Sequence, residues 1–279
     1  MILITGSTGT LGVYLQDSLL KAGIAFEAPS SKDLDLSSLE SIDAFFKDKK
    51  YSYIMHLAAV TDVDLCERDP SKAYLINGLA TEALAMNAAR IGAKIMYIST
   101  SAVFGAVAKL SFCELDTTRP VSFYGSSKLF GEEAIQRSGS QYLILRSSFM
   151  IGGGPDRDKK FIGKILPKLR SNEDVLAVSD KLGSLTYAKD LADFMVDSIK
   201  TNIRGIVHIT SSDFCSRYDI AKHIKVVLDS KSKITPIPSQ VMPLSAPRPM
   251  SEALTSCSPH KYGQKTCNEI IDEYMSEWK

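Results

Sequence analysis

The chain has 279 residues, 44% hydrophobic and 23% charged, with a net charge of +1. That is enough for one large or two modest domains with a buried core, and the near-neutral balance speaks against a nucleic-acid or other polyanion partner. No apolar run is long enough to span a bilayer, the first is too short for a secretory signal, and five scattered cysteines, Cys66, Cys113, Cys215, Cys257 and Cys267, suit free thiols in a reducing cytoplasm.

The first predicted element is a strand. The apolar run from Met1 breaks at Thr5 into Gly6-Ser-Thr-Gly9-Thr-Leu-Gly12, a turn whose glycines let the backbone bend sharply and lie close to a ligand. Leu11 to Ala22 follows with helical spacing and Gly23 as its stop. The free amides at that helix start, backed by the helix dipole, make a seat for a pyrophosphate. The spacing is Gly-x-x-Gly-x-x-Gly rather than the commoner Gly-x-Gly-x-x-Gly.

Ile24 to Ala28 reads as a second strand ended by Pro29, and Ser37 with Glu40 as a capping box for a helix through Phe46. Tyr53 to Leu57 is the third strand, with His56 packed in it. Asp69 and Pro70 start a helix that runs to Ile91 and stops at Gly92. Lys94 to Ser99 is the fourth strand, Phe123 to Arg137 a helix and Gln141 to Arg146 the fifth strand.

This alternation predicts an α/β fold with a doubly wound parallel sheet, a Rossmann arrangement, in which ligands bind at the carboxyl ends of the strands. The dinucleotide-binding domain is expected over residues 1–150, with 180–205 returning to it, and a smaller α/β substrate-binding part over 151–279. In that second part Gly152-Gly153-Gly154-Pro155 reads as a flexible loop or hinge. Asp158 to Arg170 reads as a helix kinked or stopped by Pro167. Tyr187 to Lys200 is another helix, Gly205 to Thr210 a strand, and Ser216 to Asp229 a helix capped by Ser216. Pro236, Pro238, Pro243, Pro247 and Pro249 predict a non-helical crossing segment, and Thr266 with Glu269 caps a final helix. The four histidines, His56, His208, His223 and His260, show no metal-ligand spacing.

Two further stretches carry chemistry. Tyr124-Gly-Ser-Ser-Lys128 puts a phenol and an ammonium four apart on one helix face, where the ammonium lowers the tyrosine pKa and prepares it for proton transfer. Ser99-Thr-Ser-Ala-Val-Phe-Gly105 leaves a strand at its carboxyl end, where hydroxyls can donate to a substrate carbonyl. After the second strand stand Ser30, Ser31 and Lys32, with no acid directly at the strand end. Hydroxyls and a lysine suit a 2′-phosphate, so NADP(H) is favoured over NAD(H), although Asp33 stands nearby.

In this order the motifs resemble the extended short-chain dehydrogenase/reductase family, and more closely the dTDP-4-dehydrorhamnose reductases. Matching stretches are His56–Asp64, Ser99–Phe104, Tyr124–Glu132, Gly183–Ala192 and Ala246–Pro249. The resemblance implies reduction of the C4 keto group of a nucleotide-linked 6-deoxy-4-ketosugar for cell-surface polysaccharide synthesis. Tyr124 would protonate the sugar oxygen, Lys128 would hold the nicotinamide ribose and depress the tyrosine pKa, and Thr100 would hydrogen-bond the same oxygen. Gly6, Thr8, Gly9, Thr10, Leu11 and Gly12 would seat the pyrophosphate, Asp35 and Leu36 the adenine, and Leu57, Ala58 and Ala59 would line the cofactor. Thr61, Val63, Val103, Phe104 and Arg248 would meet the substrate. Similar reductases carry Asp after the catalytic threonine, where Ser101 stands here. Ser101-Ala102 also lacks the Asp-Glu pair that a dehydratase needs. Alternatives on the same scaffold are a sugar-nucleotide epimerase and a dinucleotide-binding regulatory subunit. The partners implied are a nucleotide sugar and a second copy in a homodimer, with no membrane or nucleic acid.

Overall fold

In a computed structural model, residues 1–242, 244–259 and 265–279 are described; Pro243 and His260 lie outside the described residues. In chain order the first half comprises β1 (Ile2–Thr5), α1 (Thr10–Lys21), β2 (Phe26–Glu27), α2 (Leu39–Phe45), β3 (Tyr53–His56), α3 (Val63–Arg68), α4 (Pro70–Ala73), α5 (Ala80–Ile91), β4 (Lys94–Thr100), α6 (Phe123–Arg137) and β5 (Gln141–Ser147). The second half comprises β6 (Phe149–Ile151), α7 (Gly154–Arg157), α8 (Phe161–Arg170), β7 (Val175–Val178), β8 (Leu182–Gly183), β9 (Leu185–Tyr187), α9 (Ala188–Thr201), β10 (Gly205–Ile209), β11 (Cys215–Ser216), α10 (Arg217–Val227), β12 (Ile234–Ile237), β13 (Ser251–Glu252) and α11 (Cys267–Met275).

Six strands make one parallel sheet in the order β10-β5-β4-β3-β1-β2. Side chains alternate across it. Ile2 and Ile4 face a layer that includes Leu15 and Leu19 of α1 and Leu191 and Met195 of α9. Leu3 faces the opposite layer, with Ile42, Leu84 and Ile135. Both faces are thus covered, as the near-continuous apolar strands require. Strand β10, Gly205–Ile209, is the edge strand of this sheet beside β5. A third cluster, including Ile165, Leu169, Ile224 and Ile271, is the core of the smaller part.

Several local expectations change. The capping residue of α2 is Ser38, which accepts from the Ser41 amide at 3.1 Å, because Asp35 takes both the amide and the hydroxyl of Ser37. The helix expected from Pro70 to Ile91 contains a π-helical turn, Tyr74–Leu79, between α4 and α5. Gly152, Gly153 and Gly154 all have positive φ and lead into the one-turn α7 rather than an open hinge. Helix α8 begins at Phe161 and runs through Pro167, while Asp158 accepts from the amides of Lys160 and Gly163 ahead of it. In the proline-rich stretch, Ile234–Ile237 pairs with β7, Pro236 being tolerated on an edge strand. Ser216 with Asp219 and Thr266 with Glu269 form full capping boxes.

Candidate active site

The glycine turn joins β1 to α1. Gly6 has φ +73°, and a Cβ there would stand 2.6 Å from the Ala58 amide nitrogen beyond β3. A Cβ at Gly12 would meet the Gly6 carbonyl at 2.5 Å, so the helix can press onto the turn only without a side chain. Gly9 caps α1 without any side-chain bond, and the first turn holds no acid. Its amides are therefore open to an anion. Arg157 of α7 donates to the Thr8 carbonyl at 3.3 Å, bringing a cation beside the turn.

A cavity of about 470 Å³ extends from this turn, walled by Gly6, Thr8, Ser30, Ser31, Asp35, Leu36 and Ala58 among the expected residues. Ser7, Leu34 and Ile76 join them. Gly9 and Gly12 shape the turn rather than wall the cavity. Leu11 is core, and Leu57 packs against the same core cluster. Thr10, Lys32 and Ala59 are not among the wall residues. At the end of β2 the Glu27 carboxylate is held by Lys49 at 2.8 Å and Tyr51 at 2.7 Å. Asp33 is taken by Ser30 and Asp35 by Ser37. Ser31 and Lys32 beside them are exposed.

Thr100 ends β4, and its hydroxyl accepts from the Ala102 amide at 3.1 Å. Helix α6 starts against this turn. Ser122 caps it by accepting from Gly125 at 3.2 Å, and a Cβ at Gly125 would run into the Ala102 carbonyl. That close approach brings Tyr124 near Thr100, whose hydroxyl draws the phenol pKa down. Lys128, buried one turn on, stands 3.9 Å from the centre of the Tyr97 ring. Beneath it Glu132 and Arg146 make a buried two-point pair at 2.6 and 2.9 Å, fixing α6 to β5. Asn77, in the π turn, bonds both backbone groups of Val60 and the Ser127 hydroxyl. It thereby ties the loop after β3 to the helix carrying Tyr124.

The electrostatics correct one expectation. Burial pushes the Tyr124 hydroxyl up to about 12, against the pull of Thr100. Burial also draws Lys128 down to about 7, with Glu132 holding it up. Desolvation outweighs the pull of Thr100 on the phenol, and the Lys128 amine faces the Tyr97 ring. Tyr124 is therefore a protonated acid near neutral pH, able to give a proton.

A larger cavity of about 730 Å³ lies on the other side, walled by Arg217, Arg248, Lys160, Lys181, Phe149, Phe161 and Glu252, among others. Of the expected substrate residues only Arg248 walls it. Arg248 donates to Asp64 at 3.1 Å, and Asp64 also accepts from the Ala246 amide at 2.8 Å, so α3 holds the Ala246–Pro249 loop in place. Val103 and Phe104 are corrections: both are fully buried with Phe112 and Leu254, Phe104 stacking on Phe112 at 4.7 Å. Thr61 is exposed and Val63 half-buried at the start of α3, and neither is among the wall residues. Arg217, missed in the sequence, lies over the rings of Phe149 at 4.9 Å and Phe161 at 5.2 Å. Its sequence signal was only a position after a helix cap. Thr100, Tyr124 and Lys128 wall neither cavity. Ala58, beyond β3, walls the first, and Glu252, bonded to Ser101, walls the second.

Among the described residues, no group of three or more His, Cys, Asp or Glu is placed to hold a metal ion, and no helix is long and apolar enough to cross a membrane.

The sequence matches the family described as RmlD substrate binding domain over residues 1–269. It is similar to the spore coat polysaccharide biosynthesis protein SpsK of Bacillus subtilis, 31% identical over 278 residues, covering 99% of this chain and 97% of the relative. Among solved structures it is similar to a dTDP-4-dehydrorhamnose reductase from Yersinia enterocolitica, with a TM-score of 0.95 at 40% identity, covering 100% of this chain and 99% of that one. A dTDP-4-dehydrorhamnose reductase from Bacillus anthracis, solved in complex with NADP, gives a TM-score of 0.89 at 26% identity, covering 99% and 98%.

Proposed function

The chain belongs to the RmlD substrate binding domain family, an extended short-chain dehydrogenase/reductase group, and from that premise we propose that it is an NADPH-dependent oxidoreductase. It reduces the C4 keto group of a nucleotide-linked 6-deoxy-4-ketosugar, as its relatives named dTDP-4-dehydrorhamnose reductase do, and so supplies an activated deoxysugar for polysaccharide synthesis. The observation that carries this reading is the placement of Tyr124 and Lys128 on α6 against the turn that follows Thr100, an approach so close that a Cβ at Gly125 would run into the Ala102 carbonyl.

The glycine turn and the α1 amides fit a pyrophosphate, and Ser30, Ser31 and Lys32 fit a 2′-phosphate. When bound, the dinucleotide supplies the hydride. Tyr124 donates its proton to the C4 oxygen as the carbonyl becomes an alcohol, and takes a proton back from solvent afterwards. Thr100 donates to the same oxygen and fixes its direction. Lys128 would hold the ribose hydroxyls, and when protonated it would steady the tyrosinate left behind. Arg217 and Arg248 meet the diphosphate of the sugar nucleotide.

We assign cofactor binding to residues 1–150 with 188–209, and sugar-nucleotide binding to the rest. The free thiols suit the cytoplasm, and closed two-fold pairing is the commonest assembly for such a fold. Incubation with NADPH and dTDP-4-dehydro-L-rhamnose should consume NADPH and yield dTDP-L-rhamnose. Absence of turnover with this and related 4-keto sugar nucleotides overturns the reading. Isomerised sugar without NADPH loss would indicate epimerisation instead.

A further inference from the structure

Glu252 takes no part in the scheme above, yet it stands in the large cavity beside the residue that follows Thr100. It closes the two-residue strand β13, paired with Gly183 of β8, and its carbonyl accepts from the Ser148 hydroxyl at 2.6 Å. Both contacts fix its backbone. Its carboxylate accepts from Ser101, the residue after Thr100, at 3.4 Å, and its side chain walls the cavity.

Among the described residues no cation stands within ion-pair distance of its carboxylate, although Arg217, Arg248 and Lys181 lie in the same cavity wall. Arg248 is bound to Asp64, Arg217 lies on two aromatic rings, and Lys181 donates to the Arg248 carbonyl at 3.2 Å. Burial pushes the Glu252 carboxyl up, while Arg217, Arg248, the Ser101 hydroxyl and Lys181 draw it back. Its charge in turn reaches Tyr124.

One carboxylate thus stands in the cavity wall, bonded to the residue that follows Thr100 and sharing that wall with the cations. A diphosphate is repelled by it and goes to the cations. An ionised carboxylate only accepts hydrogen bonds, and the sugar ring, which must span from the cations to Tyr124, carries hydroxyls to donate. We propose that Glu252 is a specificity-determining residue whose carboxylate accepts hydrogen bonds from the ring hydroxyls beside the reacting carbon, holding that carbon toward Tyr124. This rests on the reading of the protein as a ketosugar reductase.

The test compares dTDP-L-rhamnose with dTDP, titrated calorimetrically into the unaltered protein, Glu252→Gln and Glu252→Ala. Both variants should bind dTDP and NADPH as the unaltered protein does, and dTDP-L-rhamnose about tenfold more weakly, the loss of one charge-assisted bond. KM for the ketosugar should rise in parallel. Unchanged dTDP and NADPH affinities show that the folded sites persist. Equal weakening toward dTDP and dTDP-L-rhamnose, or no weakening, overturns the proposal, as does failure of the unaltered protein to bind dTDP-L-rhamnose. If that protein binds dTDP-L-rhamnose but reduces no ketosugar, the reductase reading falls, and the sugar-selective binding loss still decides the role of Glu252.

Discussion

The two cavities are built from different material. The smaller one is mainly backbone: a glycine turn, the uncapped amides of α1 and the close approach of Ala58, with hydroxyls at the rim. The larger is made mostly of apolar side chains brought from distant parts of the chain, with the charged Arg217, Arg248, Lys181 and Glu252 set among them. A surface of amides and glycines takes a ligand that never changes. A surface of side chains can be retuned by single substitutions without moving the fold.

The largest effect is expected at Tyr124, which walls neither cavity. Tyr124→Phe should lower kcat by about 10²–10⁴-fold while calorimetry shows NADPH and dTDP bound as before. Arg217→Ala should act on one cavity alone. Losing a charge-assisted contact of about 1.5–3 kcal/mol raises KM for the sugar nucleotide roughly ten- to hundredfold, with NADPH affinity unchanged. Gly12→Ala is its mirror image. The added methyl meets the Gly6 carbonyl, so strain of about 1–3 kcal/mol should weaken NADPH roughly tenfold or more and leave dTDP binding intact. If either substitution affects both ligands equally, the two regions do not act separately.

The smallest effect concerns stability. His56, bonded to Thr5 and Thr81 on the cofactor side, is held down to about 3 by burial and then by Lys128. His208, bonded to Thr255 toward the other part, is held down to about 4, burial leading. Below the ordinary value of 6.5 the unfolded chain gains protons that the folded chain refuses. Their contribution is full above that pH and lost as pH falls toward 4. The melting temperature should therefore drop between pH 7 and pH 5, and His56→Gln should drop less over that interval, as followed by circular dichroism.

The same contrast explains what was legible in the sequence. Gly6, Gly9 and Gly12 are demanded by the backbone itself, so the letters reveal the turn. Tyr124 and Lys128 share a face by helix arithmetic alone. The strand-helix alternation gave the sheet, and capping residues such as Ser216 and Thr266 marked helix starts. Ser101 was visible as a departure, but not the carboxylate that reaches it from Glu252, 151 residues away. Arg217 looks in sequence like any first-turn residue, and its ring contacts exist only after folding. Val103 and Phe104 sit in a matching motif, yet their side chains went to the core. The Tyr124 proton was misjudged because spacing displays the nearby charge and hides the burial that outweighs it.

The π turn at Tyr74–Leu79 has a consequence for how this chain tolerates deletion. Such a turn holds one residue more than an α-helical one. Removing a residue there would let Pro70 to Ile91 run as one regular helix, with better local geometry, while turning Asn77 by about 100°. Asn77 would then release Val60 and Ser127, and the loop beside the cofactor would lose its link to the helix carrying the acid. A shorter, smoother helix would be a sounder piece of secondary structure and a poorer enzyme.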